Sequence, residues 1–333
     1  MKRVCSRSLG GNEKVAIIVN SFPHRARQVV KSALGSVTAM LLRSRAGSKL
    51  YERLFEASPQ RLAEVMVRLQ EQPKFDLTWT MRLMNGKKIR VPVRVDNPLS
   101  WDFALAYHWH DADIRDLEWA MLRKFAADRA DPIFIDIGAN MGLRSLLPLS
   151  MGLHCILFEP NEELRDFTTK MFALNDFSGY ELRNMCLGDR TGAARFYFSE
   201  NPYMSSLDRD WVAGQGASRE IEVPVTTLDD WMSKRSDLSQ KPSYIKIDVE
   251  GAELQVLNGA RQYVERLRPP IICEIANKPD NRGQIWDYCY SLQYGIHSIR
   301  NSPGRLVEPI DRSSFIDRAE ELNFLLAAKE CRL

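Results

Sequence analysis

The chain has 333 residues, of which 44% are hydrophobic and 27% charged, with 18 glycines and 16 prolines. That length and balance fit one large α/β domain with an extension, or two domains, and exclude a mainly disordered, collagen-like or repeat protein. The net charge of +3 hides an asymmetry: residues 1–50 carry ten Lys or Arg against one acid, Glu13, so they stand at +9 and the other 283 residues at −6.

The basic leader has two readings, a solvated N-terminus or a segment suited to an anionic membrane surface. Within it, "VVKSALGSVTAMLL" (29–42) reads as an amphipathic helix able to lie on a membrane but too short and too charged to span one. Six scattered cysteines without a C-x-x-C pair exclude a zinc finger or a disulfide scaffold. With no signal-peptide pattern, the expected location is cytoplasmic, with peripheral membrane contact through residues 1–50.

Residues 1–75 form a helix-leaning extension. From about residue 76, "FDLTWTMRLMNGKKIRVPVRV" alternates apolar and polar positions about Asn85-Gly86, which predicts a hairpin with a two-residue turn. "DADIRDLEWAMLRKFAADRA" (111–130) then has helical spacing. This 76–130 region is expected to cap the acceptor side of the domain that follows, 131–333.

In that domain short apolar runs alternate with helical stretches. Strands are predicted at 133–137, 155–158, 181–186, 244–249 and 271–275, and helices at 142–150, 162–174, 252–266 and 283–294. Such alternation predicts a mostly parallel sheet covered on both faces. Residues 190–235 read as a β-ribbon insertion, "ARFYFSE" and "REIEVPVTT" joined by a loop, while "GIHSIR" and "NFLLAA" predict a closing antiparallel pair.

Two clusters carry the chemistry. In "FIDIGANMGLRS" (134–145), Asp136 ends a buried strand, Gly138 lets the backbone approach a ligand, and Gly142 opens the next helix. A dinucleotide fingerprint requires a glycine where Asn140 stands. Glu159 lies 21 residues after Gly138, where a carboxylate can accept from both hydroxyls of a ribose. A glycine turn and a ribose carboxylate without a phosphate cradle suggest a nucleoside cofactor lacking phosphates, such as S-adenosylmethionine. In "YIKIDVEGAELQVLNGA" (244–260), Lys246, Asp248 and Glu250 alternate at a strand end, and Gly251 leads into a helix whose Glu253 suits the helix dipole.

With "FIDIGANMG", "FEPN" (158–161), "LGDRTGAARFY" (187–197), "VTTLDDW" (225–231), "IKIDVEGAELQVLNGA" and "IICEI" (271–275) in this order, the chain resembles the FkbM-type family of S-adenosylmethionine-dependent methyltransferases over about residues 130–328. The resemblance implies a class I, Rossmann-like fold: a seven-stranded, mostly parallel α/β sheet with a reversed last strand, helices on both faces and a helical and hairpin N-terminal extension. It implies methyl transfer to a hydroxyl of a sugar, glycan or related metabolite. Asp136, Gly138, Ala139, Asn140 and Gly142 would surround the methionine tail and ribose, and Glu159 the ribose hydroxyls. Asn184, Met185 and Cys186 would border the adenine, and Asp248 and Glu250 would face the sulfonium and the acceptor. Asp248 is the first choice of general base and Glu250 the second, with Lys246 as a catalytic residue or an ion-pair partner.

Other readings stay open. A nicotinamide-dependent sugar oxidoreductase or epimerase shares the sheet, but the chain has Asn140 in its loop and no Tyr-x-x-x-Lys. A catalytically silent protein on the same fold is another. No metal is required, although Asp248, Glu274 and Asn277 offer oxygen ligands. "YHWHDAD" (107–113) sets His108 and His110 on one face if extended, near Trp101, Tyr107 and Trp109, as a sugar-stacking lid or a structural cap. The expected partner is a small-molecule or glycan acceptor, and no nucleic acid.

Overall fold

The structure is a computed structural model that describes residues 75–97, 99–109, 112–128, 131–199, 205–213, 217–302, 305–318 and 320–330. The predicted N-terminal helix at 29–42 and the rest of 1–74 lie outside the described residues. Apart from the turn 83–87, the hairpin and the helix after it fall in one compact unit, and the chain from Asp111 onward is the other.

The first unit contains β1 (Leu77–Arg82), β2 (Lys88–Val93) and α1 (Leu99–Trp109). The strands pair antiparallel from Leu77↔Val93 to Arg82↔Lys88. Their alternation buries Trp79, Met81, Ile89 and Val91 on one face, and the Trp79 ring meets Trp101 edge-on at 5.0 Å. The expected two-residue turn is replaced by a longer one: Leu83 N donates to Lys87 O (2.9 Å), and Gly86 takes φ +85°. A type of three-residue loop ending in a left-handed glycine fits the strand twist equally well.

The second unit begins with α2 (Ala112–Asp128), β3 (Ile133–Ile137), α3 (Leu146–Ser150), β4 (His154–Phe158), α4 (Glu162–Leu174), β5 (Tyr180–Arg183) and β6 (Cys186–Leu187). Then come β7 (Gly192–Ser199), α5 (Arg209–Ala213), β8 (Ala217–Thr226), α6 (Leu228–Ser233), β9 (Ser243–Ile247), α7 (Glu253–Gly259) and α8 (Arg261–Leu267). It ends with β10 (Ile271–Glu274), α9 (Pro279–Ser291), β11 (Tyr294–Ser302), β12 (Arg305–Pro309), α10 (Arg312–Asp317) and β13 (Asn323–Ala328).

The main sheet has the order β12-β11-β13-β10-β9-β3-β4-β5. The five strands from β10 to β5 are parallel, and β13 runs against both its neighbours. This is the seven-stranded class I methyltransferase arrangement with its reversed strand; β12 adds an eighth strand at the edge. Every residue of β3 and β9 is buried, as strands covered on both faces require. The core joins Ile135, Ile156, Ile245 and Cys273 from the strands with Val256, Val264 and Ile285 from the helices. In a separate three-stranded sheet, β6-β8-β7, the antiparallel pair β7 and β8 is the ribbon expected in 190–235, and β6 joins it in parallel.

Several boundaries differ from expectation for local reasons. The predicted strand 181–186 is two pieces, because Cys186 and Leu187 leave the main sheet to pair with Val225 and Thr226. The helix expected from residue 142 starts at Leu146, since Asn140 and Gly142 hold φ values of +52° and +75° that no helix admits. The helix expected at 252–266 breaks at Ala260 (φ −107°). Just before that break, Gly259 packs against the chain after β6, where a Cβ would stand 1.9 Å from Gly188 O.

Candidate functional site

Three strand ends meet at the carboxyl edge of the sheet, where open α/β folds place their ligands. Gly138 N and Ala139 N both donate to Phe158 O at 3.1 Å, joining the β3 and β4 ends, and Asp248 N donates to Ile137 O at 2.9 Å, joining β9. Gly138 is obligatory there. Its φ is +75°, and a Cβ would lie 1.8 Å from Asp248 O.

Glu159, the residue after β4, is 5% exposed. Its Oε2 accepts from Asn140 N and its Oε1 from Asn161 N, both at 2.8 Å. Burial pushes its carboxyl up to about 7, against the pull of those two amides. Asn161 in turn caps α4 by accepting from Glu163 N at 3.0 Å.

The β9 end is built from paired charge. Lys246 is buried, and its Nζ donates to Asp248 Oδ2 at 2.8 Å and to Gly138 O at 3.4 Å. Burial alone would lower the ammonium, but the Asp248 and Asp136 carboxylates outweigh it and hold it above the ordinary lysine range. Asp136 is fully buried; Oδ2 accepts from Ser145 Oγ at 2.7 Å, and Oδ1 has no hydrogen-bond partner. Burial pushes this carboxyl up, offset in part by Lys246.

Beyond Asp248 the chain turns through Glu250 and Gly251, both left-handed, at φ +55° and +101°. Glu253 does more than face the helix dipole. It is 1% exposed, its Oε1 accepts from Gly251 N at 2.6 Å, and burial pushes its carboxyl up to about 7.

These ends border an open cavity. Of the residues expected to form the site, Gly138, Asn140, Glu159, Met185, Asp248 and Glu250 line it, as does Cys186. Asp136, Ala139, Gly142, Asn184 and Lys246 are not among its lining residues. Gly142 is a packing glycine, where a Cβ would lie 2.9 Å from Thr168 Cγ2. The Asn184 amide faces Pro160 O (3.1 Å) and the Arg165 guanidinium (3.2 Å), so it ties two loops together.

The sequence reading missed an apolar wall of Leu164, Leu187, Phe196 and Leu207. Period-2 alternation in "ARFYFSE" does place Phe196 and Phe198 on one face, a signal that was there to be used. Leu207 and its neighbour in the wall, Ser205, carry no such signal.

In the aromatic stretch 107–113, the described residues are helical, not extended. Its first residues end α1, where Tyr107 and His108 are buried side by side with ring centroids 5.3 Å apart, and His110 lies outside the described residues. Among the described residues no three His, Cys, Asp or Glu side chains gather as a metal site, and no helix is long and apolar enough to cross a membrane.

The family pattern of the methyltransferase FkbM domain matches residues 136–311, which covers both strand-end clusters. Among solved structures, the methyltransferase FkbM from Methylobacillus flagellatus KT is 16% identical over 68% of this chain and 54% of its own, with a TM-score of 0.38. The present chain thus spans about half the length of that protein. A SAM-dependent O-methyltransferase from Thermotoga maritima is 9% identical over 81% of this chain and 82% of its own, with a TM-score of 0.35. Precorrin-6y C5,15-methyltransferase from Geobacter metallireducens GS-15 is 11% identical over 65% and 89%, with a TM-score of 0.34. No curated protein matches the sequence significantly.

Proposed function

The chain belongs to the FkbM methyltransferase family, and from that premise we propose that it transfers the methyl group of S-adenosylmethionine to a hydroxyl of a sugar, glycan or related small molecule. One observation carries the reading: a single cavity at the sheet's carboxyl edge is bordered by Glu159, held by two backbone amides, and by Asp248, held by a buried lysine.

The residues fit the cofactor in kind. A carboxylate has about four lone-pair sites and the backbone uses two on Glu159, so the rest are available to the two ribose hydroxyls. Leu164, Met185, Leu187 and Phe196 give the adenine an apolar bed, and Gly138 and Asn140 let the backbone approach the amino-acid tail. When bound, the cofactor supplies a methyl group already activated on a sulfonium.

What the chain adds is alignment and a proton acceptor. Asp248 takes the proton of the acceptor hydroxyl. Lys246 fixes Oδ2 of that carboxylate and leaves the other oxygen for the acceptor. Glu250, on the same turn, is the alternative base, and Lys246 acts as a positioning residue behind Asp248.

Calorimetry with S-adenosylhomocysteine tests the cofactor part; no heat at about millimolar ligand, a thousandfold weaker than an ordinary site of micromolar affinity, sinks it. Labelled methyl transfer into a fractionated cell extract tests the acceptor part. There Asp248→Asn is expected to lower incorporation while leaving homocysteine-ligand binding intact. For the +9 leader we propose contact with anionic membrane: deleting residues 1–60 is expected to reduce attachment to vesicles rich in anionic lipid and to leave cofactor binding unchanged.

A further inference from the structure

Residues 205–208 belong to no strand, yet they behave like one. Ser206 bridges Tyr197 of β7 antiparallel, with Tyr197 N donating to Ser206 O at 2.8 Å and Ser206 N to Tyr197 O at 3.0 Å. Side chains alternate accordingly: Ser205 and Leu207 line the cavity, and Ser206 and Asp208 turn toward the β9 and β10 ends.

Ser206 is 1% exposed, and its Oγ donates to Val249 O at 3.0 Å while accepting from Asp208 N at 3.0 Å. Asp208 Oδ2 accepts from Lys278 Nζ at 2.6 Å, just ahead of α9. Gly251 lies directly under this pair. A Cβ there would stand 3.3 Å from Asp208 Oδ2 and 3.6 Å from Lys278 Nζ, so the segment packs closely over Gly251.

The turn beneath is one that needs holding. Glu250 is left-handed at φ +55°, a conformation that costs a residue with a Cβ and persists where the surroundings over-determine it. Glu253 holds the turn through Gly251 N, and the 205–208 segment holds it through Val249 O and over Gly251. That same turn presents Asp248 and Glu250 to the cavity, while Leu207 of the segment stands in the apolar wall.

We infer that residues 205–208 form a strap that holds the Asp248–Gly251 turn in register with the apolar wall of the cavity, with the Asp208–Lys278 ion pair as its latch. Ser206, Asp208 and Lys278 are then positioning residues for the bound cofactor. This deepens the reading above and rests on it. Because the latch side chains are 24% and 38% exposed, its strength falls as salt rises.

The test is the dissociation rate of S-adenosylhomocysteine from the full chain, measured at low and high salt. Asp208→Asn, which keeps the backbone hydrogen bonds, and Lys278→Met are each expected to release the ligand about fivefold faster at low salt. Both are expected to lose most of the salt dependence that the wild type shows, and Lys278→Arg to restore it. Wild-type rates and wild-type salt dependence in both neutralised variants would overturn the strap. Failure of the wild type to take up the ligand at all overturns the cofactor reading and the strap with it. If Asp208→Asn does not fold, the Lys278→Met and Lys278→Arg pair decides.

Discussion

The β4 end of the cavity presents Glu159 and the β9 end presents Asp248, and the two carboxylates are held by different means. Glu159 is held by two backbone amides, Asn140 N and Asn161 N, and nothing charged is in hydrogen-bond contact with it. Asp248 is held by an ammonium, Lys246, which is itself buried between two acids. Backbone amides fix position rigidly but compensate burial weakly, so Glu159 sits near neutrality in its titration. A buried lysine compensates charge directly, but any loss of it leaves carboxylates stranded. The first end suits a fixed ligand that brings its own donors; the second fixes one oxygen of Asp248 and leaves the other facing the acceptor side.

The joint between the two ends is Gly138, and breaking it tests the comparison most severely. Gly138→Ala sets a Cβ 1.8 Å from Asp248 O at a left-handed position. We expect a loss of about 4 kcal/mol in urea unfolding. Gly86→Ala, also left-handed but with nothing within 4 Å, is expected to cost only about 1 kcal/mol. Equal losses would mean that the conformation matters and the close approach does not.

Next in size is Lys246→Met, expected to cost about 3 kcal/mol because Asp136 and Asp248 lose their shared cation. Asp136→Asn added to it should recover part of that loss. A stable single variant would show that the β9 end does not depend on its lysine. Glu159→Gln, by contrast, should fold and bind S-adenosylhomocysteine about 30-fold more weakly by calorimetry, since charge-assisted hydrogen bonds to the ribose become neutral ones.

How much of this was legible follows the same division. The β4 end announces itself locally: a glycine turn after an apolar strand and an acid after the next strand can be read within 26 residues, 134–159. That the core strands run parallel follows from apolar runs alternating with helical ones; their order in the sheet does not. At the β9 end the charged types were legible, but their depth was not. Alternation suggests that Lys246 and Asp248 share a face, yet only the register Asp136↔Lys246 across β3 and β9 reveals that the lysine is buried beside a second acid. Motif position also says nothing about which side of a wall the Asp136 side chain takes, or what packs on Gly142. Gly142 faces α4, a contact between distant segments. The apolar wall was hidden for a related reason, since Leu207 reaches the cavity only because Ser206 pairs with Tyr197 across a sequence that lacks any pattern.

The finest test uses pH, because Glu159 predicts opposite slopes for two measurements on the same protein. Glu159 has an ordinary value of 4.5 and a folded value of about 7, so between those values the native state binds more protons than the unfolded one. Stability without ligand therefore falls as pH rises from about 4.5 to about 7, by roughly 3 kcal/mol for one fully shifted group, and levels off above. Glu253 is displaced in the same direction for the same reason, so Glu159→Gln should remove only part of that slope. Ligand affinity runs the other way. Ribose hydroxyls donate to the ionised carboxylate, so S-adenosylhomocysteine lowers the Glu159 value and expels its proton on binding. Affinity should then drop by up to about tenfold per unit as pH falls below about 7, with calorimetry in buffers of different ionisation enthalpy reporting proton release. In Glu159→Gln the affinity slope should vanish while the Glu253 share of the stability slope remains. An affinity slope that survives this substitution would assign the proton to the β9 end and reverse the roles given to the two carboxylates.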